Sequence, residues 1–287
     1  MTIVHDPRCS GYHQPGHPEK PNRVVRSAEQ LRWQKALELR WAEPVAVSDE
    51  LLLRGHTPAH LERMRQPVDF DADTPWHPEI EAHARRGVGA AVRAMELALA
   101  GESAFSLMRP PGHHAERGRA MGFCYYGSIA LAVLEARARG VGRIAVFDFD
   151  VHHGNGTQDI LAGVEGVTFV SVHQGDAYPG TGVGDFAGNC LNFPVAGGLP
   201  RRDWIAAFER GLAAVAAARP QLLAVSAGFD AYERDPLADG RLEREDYHWL
   251  GSRIRSLGVP HFSVLEGGYS LDLPDLIQLH LLGLEGR

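Results

Sequence analysis

The segment Arg143–Thr157, RIAVFDFDVHHGNGT, begins as an uninterrupted apolar run and ends in a polar, glycine-rich stretch rich in metal-ligand residue types. The apolar half, Arg143–Phe149, reads as a strand buried on both faces, which is what a parallel sheet demands. Four further runs have the same strand character: Ala104–Met108, Val167–Val172, Leu222–Ser226 and His261–Leu265. Helix-like stretches lie between them, at Glu79–Ala100, Gly127–Arg139, Arg202–Ala218 and Arg244–Leu257. In the first, Val88, Val92, Met95 and Leu99 recur at helical spacing, and Gly101 supplies a stop. Strands alternating with helices predict an α/β fold with a central, mostly parallel sheet covered on both faces. No linker, repeat or break in composition divides the chain, so residues 1–287 are expected to form a single domain. Ligands gather at the C-terminal ends of the strands in such sheets. Four polar segments directly follow strand candidates: Arg109–His114, Asp148–Thr157, Ala227–Asp230 and Glu266–Tyr269. A shared catalytic rim is the simplest account of all four.

Composition narrows the function. The 287 residues are 44% hydrophobic and 23% charged, ordinary for a globular protein, and the formal net charge is −7. No basic run appears, which argues against a nucleic-acid partner. The N-terminus lacks the basic start and apolar run of a secretion signal, and no apolar stretch approaches the ~20 residues that span a bilayer. Three cysteines, Cys9, Cys124 and Cys190, are odd in number and lack CxxC spacing, a reduced pattern that predicts a cytoplasmic protein. Fifteen histidines are unusual, above all the adjacent pairs His113-His114 and His152-His153 in glycine-rich segments.

In an extended chain, residues two apart point the same way, so Asp148, Asp150 and His152 line one side while Phe149 and Val151 pack on the other. Asp150 and His152 thus offer an oxygen and a nitrogen from one strand end, and Asp230 is suitably placed to join them from another. Three protein ligands with a free position is the arrangement of catalytic zinc. The set is oxygen-rich for zinc, so iron and manganese stay open on composition.

These residues resemble the histone deacetylase family, closest to its class II and bacterial members, within the arginase/deacetylase superfamily. The matching stretches are His17–Arg23, Arg109–His114, Gly122–Cys124, Asp148–Thr157, Ser226–Asp230 and Leu265–Tyr269, in the family's order. The resemblance implies a three-layer α/β/α fold and a zinc-dependent amidohydrolase. It makes Asp150, His152 and Asp230 the zinc ligands. His114 becomes the general base and later acid, with His113 its electrostatic partner and Asp148 and Asn155 orienting the two rings. Asn155 stands where some relatives carry aspartate, which lowers the basicity expected of His114. Tyr269 becomes the donor to the oxyanion. Gly122, Phe123 and Tyr178 resemble the walls of an acyl-lysine tunnel, and Arg23 the arginine of an inner channel for leaving acetate. Arg23 has a second reading, an ion pair with Glu19 at a helix start. Potassium beside the zinc, through Asp148 and Ser171, is also implied, and relatives are often homo-oligomers.

Amide hydrolysis needs an activated water, a stabilised carbonyl oxygen and a proton for the leaving amine, and these residues can supply all three without a nucleophilic serine. A binuclear manganese hydrolase would want further acids; Gly154 and Tyr232 stand two beyond His152 and Asp230 instead. A non-catalytic binding protein on this fold would be expected to have lost a ligand, a histidine or the tyrosine. For substrate, polyamine-selective relatives can guard the mouth with an acid after an Asp-Pro pair. Here Leu237 follows Asp235-Pro236, which favours acyl-lysine over acetylpolyamine, although Asp235 or Asp239 could attract a cation. The acidic loop Asp69–Asp73 is expected at the entrance.

Overall fold

The computed structural model describes residues 1–287. Its strands are β1 (Thr2–Val4), β2 (Arg40–Ala42), β3 (Ala104–Ser106), β4 (Ile144–Asp148), β5 (Val167–Gln174), β6 (Cys190–Val195), β7 (Leu222–Ala227) and β8 (His261–Leu265). Its helices are α1 (Asn22–Trp33), α2 (Asp49–Leu52), α3 (Pro58–Met64), α4 (Ile80–Leu99), α5 (Ser128–Ala138), α6 (Asn155–Leu161), α7 (Arg201–Ala217), α8 (Arg244–Ser256) and α9 (Leu273–Glu285). All eight strands join one sheet in the order β2-β1-β3-β8-β7-β4-β5-β6, and every pairing is parallel. The sheet expected to be mostly parallel is therefore wholly so.

Every residue of β3, β4, β7 and β8 is buried, as the absence of polar alternation in their sequences requires. Helices α4 and α5 pack together, α4 chiefly against β1, β3 and β8, while α7 covers β4, β5 and β6. Helices α8 and α9 pair with each other, and α1 packs on α9. No helix is long and apolar enough to cross a membrane.

Three strands carried no readable signal. β1 and β2 have three residues each, too few to show a period. β6 holds Pro194, which an edge position tolerates because one side of the strand needs no N–H donor. The strand expected over Ala104–Met108 stops at Ser106, and that expected over Arg143–Phe149 runs from Ile144 to Asp148.

The strand order places the site. β3, β8, β7 and β4 are consecutive neighbours, so the segments that follow them emerge side by side along one edge of the sheet. They are the same four segments that the sequence marks as polar and glycine-rich.

Candidate active site and metal centre

Past the end of β4 the alternation of side chains persists. Phe149 and Val151 enter the core, while Asp150 and His152 meet Asp230 from the segment after β7. Ligand atoms of these three residues lie within 4.8 Å of one another. His152 Nδ1 is 3.2 Å from both Asp150 Oδ1 and Asp230 Oδ2. Backbone amides hold the carboxylates still: Gly267 N–H donates to Asp150 Oδ2 at 2.7 Å, and Val151 N–H donates to Asp230 Oδ1 at 3.0 Å. Asp230 Oδ2 is left buried with no hydrogen-bond partner. A Cβ at Gly267 would collide with Asp230 Oδ2 and Asp150 Oδ2, so only glycine lets this backbone approach the carboxylates so closely.

Two buried carboxylates facing one another are costly without a counter-charge. Burial and the charge of Asp150 both push Asp230 above the usual carboxylate range. Burial works to lower His152, but the neighbouring carboxylates of Asp150 and Asp230 outweigh this and hold it up to about 10. The cluster thus calls for positive charge between its oxygens, and two carboxylates with one imidazole are donors a divalent transition metal accepts. The residues fit a metal ion.

The histidine pair comes from the segment after β3. The N–H groups of Gly112 and His113 donate to Glu266 Oε2 at 2.7 and 3.1 Å, which fastens this segment to the one after β8. His113 Nδ1 lies 3.2 Å from Asp148 Oδ2, and His114 Nδ1 lies 2.8 Å from Asn155 Oδ1. The two rings are 4.0 Å apart between centroids. Their surroundings drive them apart in protonation. Burial disfavours charge on His113, but Asp150 and Asp148 prevail and hold it up to about 10. Burial, with the positive charge of His113 and His152 added, pushes His114 well below its ordinary value. One ring is fitted to carry charge and the other to accept a proton, the split that acid–base catalysis requires.

Tyr269 sits between the Arg23 guanidinium, 4.7 Å from its ring centroid, and the Phe123 ring at 5.8 Å. Its backbone N–H donates to Asp235 Oδ2 at 2.6 Å. Tyr269, His114 and His152 open on one cavity of about 270 Å³. Gly122, Phe123 and Tyr178 form its walls, and Leu237, Asp73, His17 and Pro18 complete the lining.

Not every expected residue reaches the cavity. His113, Asp148 and Asn155 stand behind the lining. Arg23 lies behind Tyr269, with Nε donating to Gly268 O at 2.7 Å, Nη2 to Glu266 O, and Nη1 to Glu19 Oε1 at 3.2 Å. The ion pair with Glu19 is therefore present, and the guanidinium holds backbone in place. Ser171 pairs with Asp148 in the β4–β5 ladder, and its Oγ lies 2.9 Å from His173 Nδ1.

Two supporting roles went unread in the sequence, although Arg109 opens a matching stretch and Asp235 was read as a possible attractor of a cation. Arg109 forks onto both oxygens of buried Glu19, at 2.5 and 2.7 Å, across 90 residues of chain. Asp235 accepts from Tyr269, Ser270 and Leu237 N–H, tying the cavity mouth to the tyrosine. The Asp-Pro pair at Asp235-Pro236 was a visible signal for the second; nothing local announced the first.

Gly122 gives a direct test of the cavity wall. Its φ of +56° is left-handed, and a Cβ there would stand 2.6 Å from His114 Cδ2 and 2.9 Å from Tyr178 Cε1. Gly122→Ala is expected to cost about 1–2 kcal/mol in stability from the backbone alone. It should also displace His114 and lower kcat/KM by at least about tenfold, read by denaturant melts beside steady-state kinetics.

The histone deacetylase domain model matches residues 17–283 of this chain. The chain belongs to the histone deacetylase family. A probable deacetylase of Methanothermobacter thermautotrophicus is 38% identical, over 94% of this chain and 86% of that protein. Among solved structures, the HD domain of HDA15 superposes with a TM-score of 0.93 at 30% identity, covering 100% of this chain and 91% of the other. An acetylpolyamine aminohydrolase from Burkholderia pseudomallei does so with a TM-score of 0.89 at 25% identity, covering 99% and 98%. The all-parallel sheet with its helices is thus the arginase/deacetylase α/β/α fold, and family membership makes the chain a hydrolase of the deacetylase type.

Proposed function

We propose that the chain is a zinc-dependent deacylase that hydrolyses the acyl-amide of acyl-lysine side chains. The observation that carries this reading is the opening of His114, His152 and Tyr269 on one cavity beside the Asp150–His152–Asp230 cluster. Zinc held by Asp150, His152 and Asp230 would lower the pKa of a water from ~16 to about 7 and polarise the substrate carbonyl. His114, kept neutral, takes the water proton and returns it to the departing amine nitrogen. Tyr269 donates its hydroxyl to the carbonyl oxygen as charge develops there. His113, paired with Asp148, adds positive charge behind the reacting centre. The walls Gly122, Phe123 and Tyr178 suit an unbranched alkyl stem. Three unpaired buried cysteines suit a cytoplasmic setting.

A second reading, hydrolysis of acetylated polyamines, is favoured by Asp73 in the cavity lining and by the likeness to an acetylpolyamine aminohydrolase. Leu237 in that lining, where an acid would greet a second amine, favours acyl-lysine. Metal analysis paired with hydrolysis of an acetyl-lysine peptide and of acetylspermidine tests the choice. One zinc per chain with chelator-sensitive acetate release from the peptide is expected. Preference for acetylspermidine would shift the substrate, two manganese ions would move the chain toward arginase-like chemistry, and metal without hydrolysis would point to a binding protein.

A further inference from the structure

His114 meets an asparagine, and an asparagine amide can turn either its oxygen or its NH2 toward a neighbour. With the oxygen facing His114 Nδ1, a neutral ring keeps its proton on Nδ1 and leaves the Nε2 lone pair free. With the NH2 facing it, the proton must move to Nε2, and the ring can no longer act as a base there. An aspartate at this position would present oxygen either way. Asparagine has to be told which way to point.

Glu116 supplies that instruction. Its Oε1 accepts from Asn155 Nδ2 at 2.8 Å, on the side of the amide away from His114. A carboxylate only accepts, so the NH2 must face Glu116 and the oxygen must face His114. Met121 Sδ, 3.4 Å from the same Nδ2, adds a weak acceptor on that side. The frame around this chain of contacts is stiff. Gly156 and Thr157 N–H both donate to His113 O at 3.0 Å, which presses the start of α6 onto the histidine segment. A Cβ at Gly156 would collide with the backbone of His114 and Ala115. His56 Nδ1 lies 3.0 Å from Glu116 O, and Glu116 N–H donates to Arg119 O at 2.9 Å. Asn155 is buried while Glu116 is half-buried, so the carboxylate keeps contact with water as it holds the buried amide.

We propose that Glu116 is a positioning residue for His114, fixing the Asn155 amide so that His114 keeps its proton on Nδ1 and offers Nε2 to the cavity. It rests on the reading of His114 as the base. Glu116 never touches the reacting atoms; it selects which tautomer of the base is present.

The test is one substitution read in two backgrounds on the zinc-loaded protein. Beside the native Asn155, Glu116→Gln can turn its own NH2 to the amide and reverse it, so kcat should fall by about tenfold with KM little changed. In the Asn155→Asp background, the original Glu116 opposes a second carboxylate at hydrogen-bond distance, and Glu116→Gln relieves it by donating to that carboxylate. The same substitution should therefore lower kcat in one background and raise it in the other. A purely structural role gives the same sign in both, and that result would overturn the proposal. Nitrogen-15 NMR of the His114 ring, assigned by its loss in His114→Ala, reads the tautomer directly. Wild type is expected to hold the Nδ1–H form and Glu116→Ala a mixture; an unchanged tautomer in Glu116→Ala also overturns the proposal. Failure of the proposed function is separable, because wild type would then cleave neither acetyl-lysine peptide nor acetylspermidine while the NMR result still decides the role of Glu116.

Discussion

Asp230→Ala is expected to leave less than about a tenth of a metal ion per chain and to lower turnover by at least about a thousandfold, since one of the three proposed ligands is removed. Elemental analysis and acetate release from the same preparation check this, and normal metal content would move the ligand elsewhere. The more discriminating companion is Asp230→Asn, which keeps the acceptor for Val151 N–H and nearly the same volume. In the metal-free chain Asp230 is disfavoured as a carboxylate by burial and by Asp150, so neutralising it relieves repulsion there. Metal-free Asp230→Asn should therefore melt no lower than metal-free wild type. Wild type with zinc at about a thousand times Kd should gain about 4 kcal/mol, or roughly 10 °C, and lose it to a chelator. The variant should show no chelator response. His152 carries the linked sign: it is held up to about 10 without metal and must be neutral as a ligand. Zinc uptake near pH 7.5 should release a proton, and affinity should weaken as pH falls.

The sequence disclosed the site better than the frame around it. β4 and β7 announced themselves because strands buried on both faces leave unbroken apolar runs, and the polar segments behind them could be read for chemistry. The sites of close approach were also visible, as glycines beside the histidines and aspartates. What stayed hidden lacked either length or locality. β1 and β2 are too short to carry a period, and their place in the sheet is fixed by pairing with β3 and each other. Helix α9 carries Pro274 in its first turn but went unread, and the partners that bury it, α8 and α1, are supplied only by the fold. Buried charges were least legible. Glu19 and Arg109 are 90 residues apart in sequence, and only folding brings their charges face to face. Glu266 sits in a recognisable Glu-Gly-Gly-Tyr stretch, but its work is done on the amides of Gly112 and His113, which no spacing foretells. Arg23 makes the same point from the other side: the family resemblance implied an inner-channel role, while its three hydrogen bonds depend on carbonyls 243 and 245 residues away as well as on nearby Glu19.

Tyr269→Phe separates chemistry from packing more cleanly than any other single change. The ring contacts with Arg23 and Phe123 and the backbone bond to Asp235 do not involve the hydroxyl, so stability should change by less than about 0.5 kcal/mol. The hydroxyl makes no hydrogen bond within the chain, which leaves it free for a substrate oxygen. Its removal should lower kcat by about 10²–10³ with KM nearly constant, because a donor to the developing oxyanion is worth little to the bound ground state. Burial, only partly offset by the Arg23 charge, pushes the phenol well above its ordinary value, so it stays protonated and donating throughout the assay range. The pH–rate profile should therefore keep its shape in Tyr269→Phe while falling in height. A variant of full activity would remove Tyr269 from the oxyanion role. A variant of low activity with a raised KM would make it a substrate-binding wall instead, and the donor would then be sought among the other groups that face the cavity beside His152.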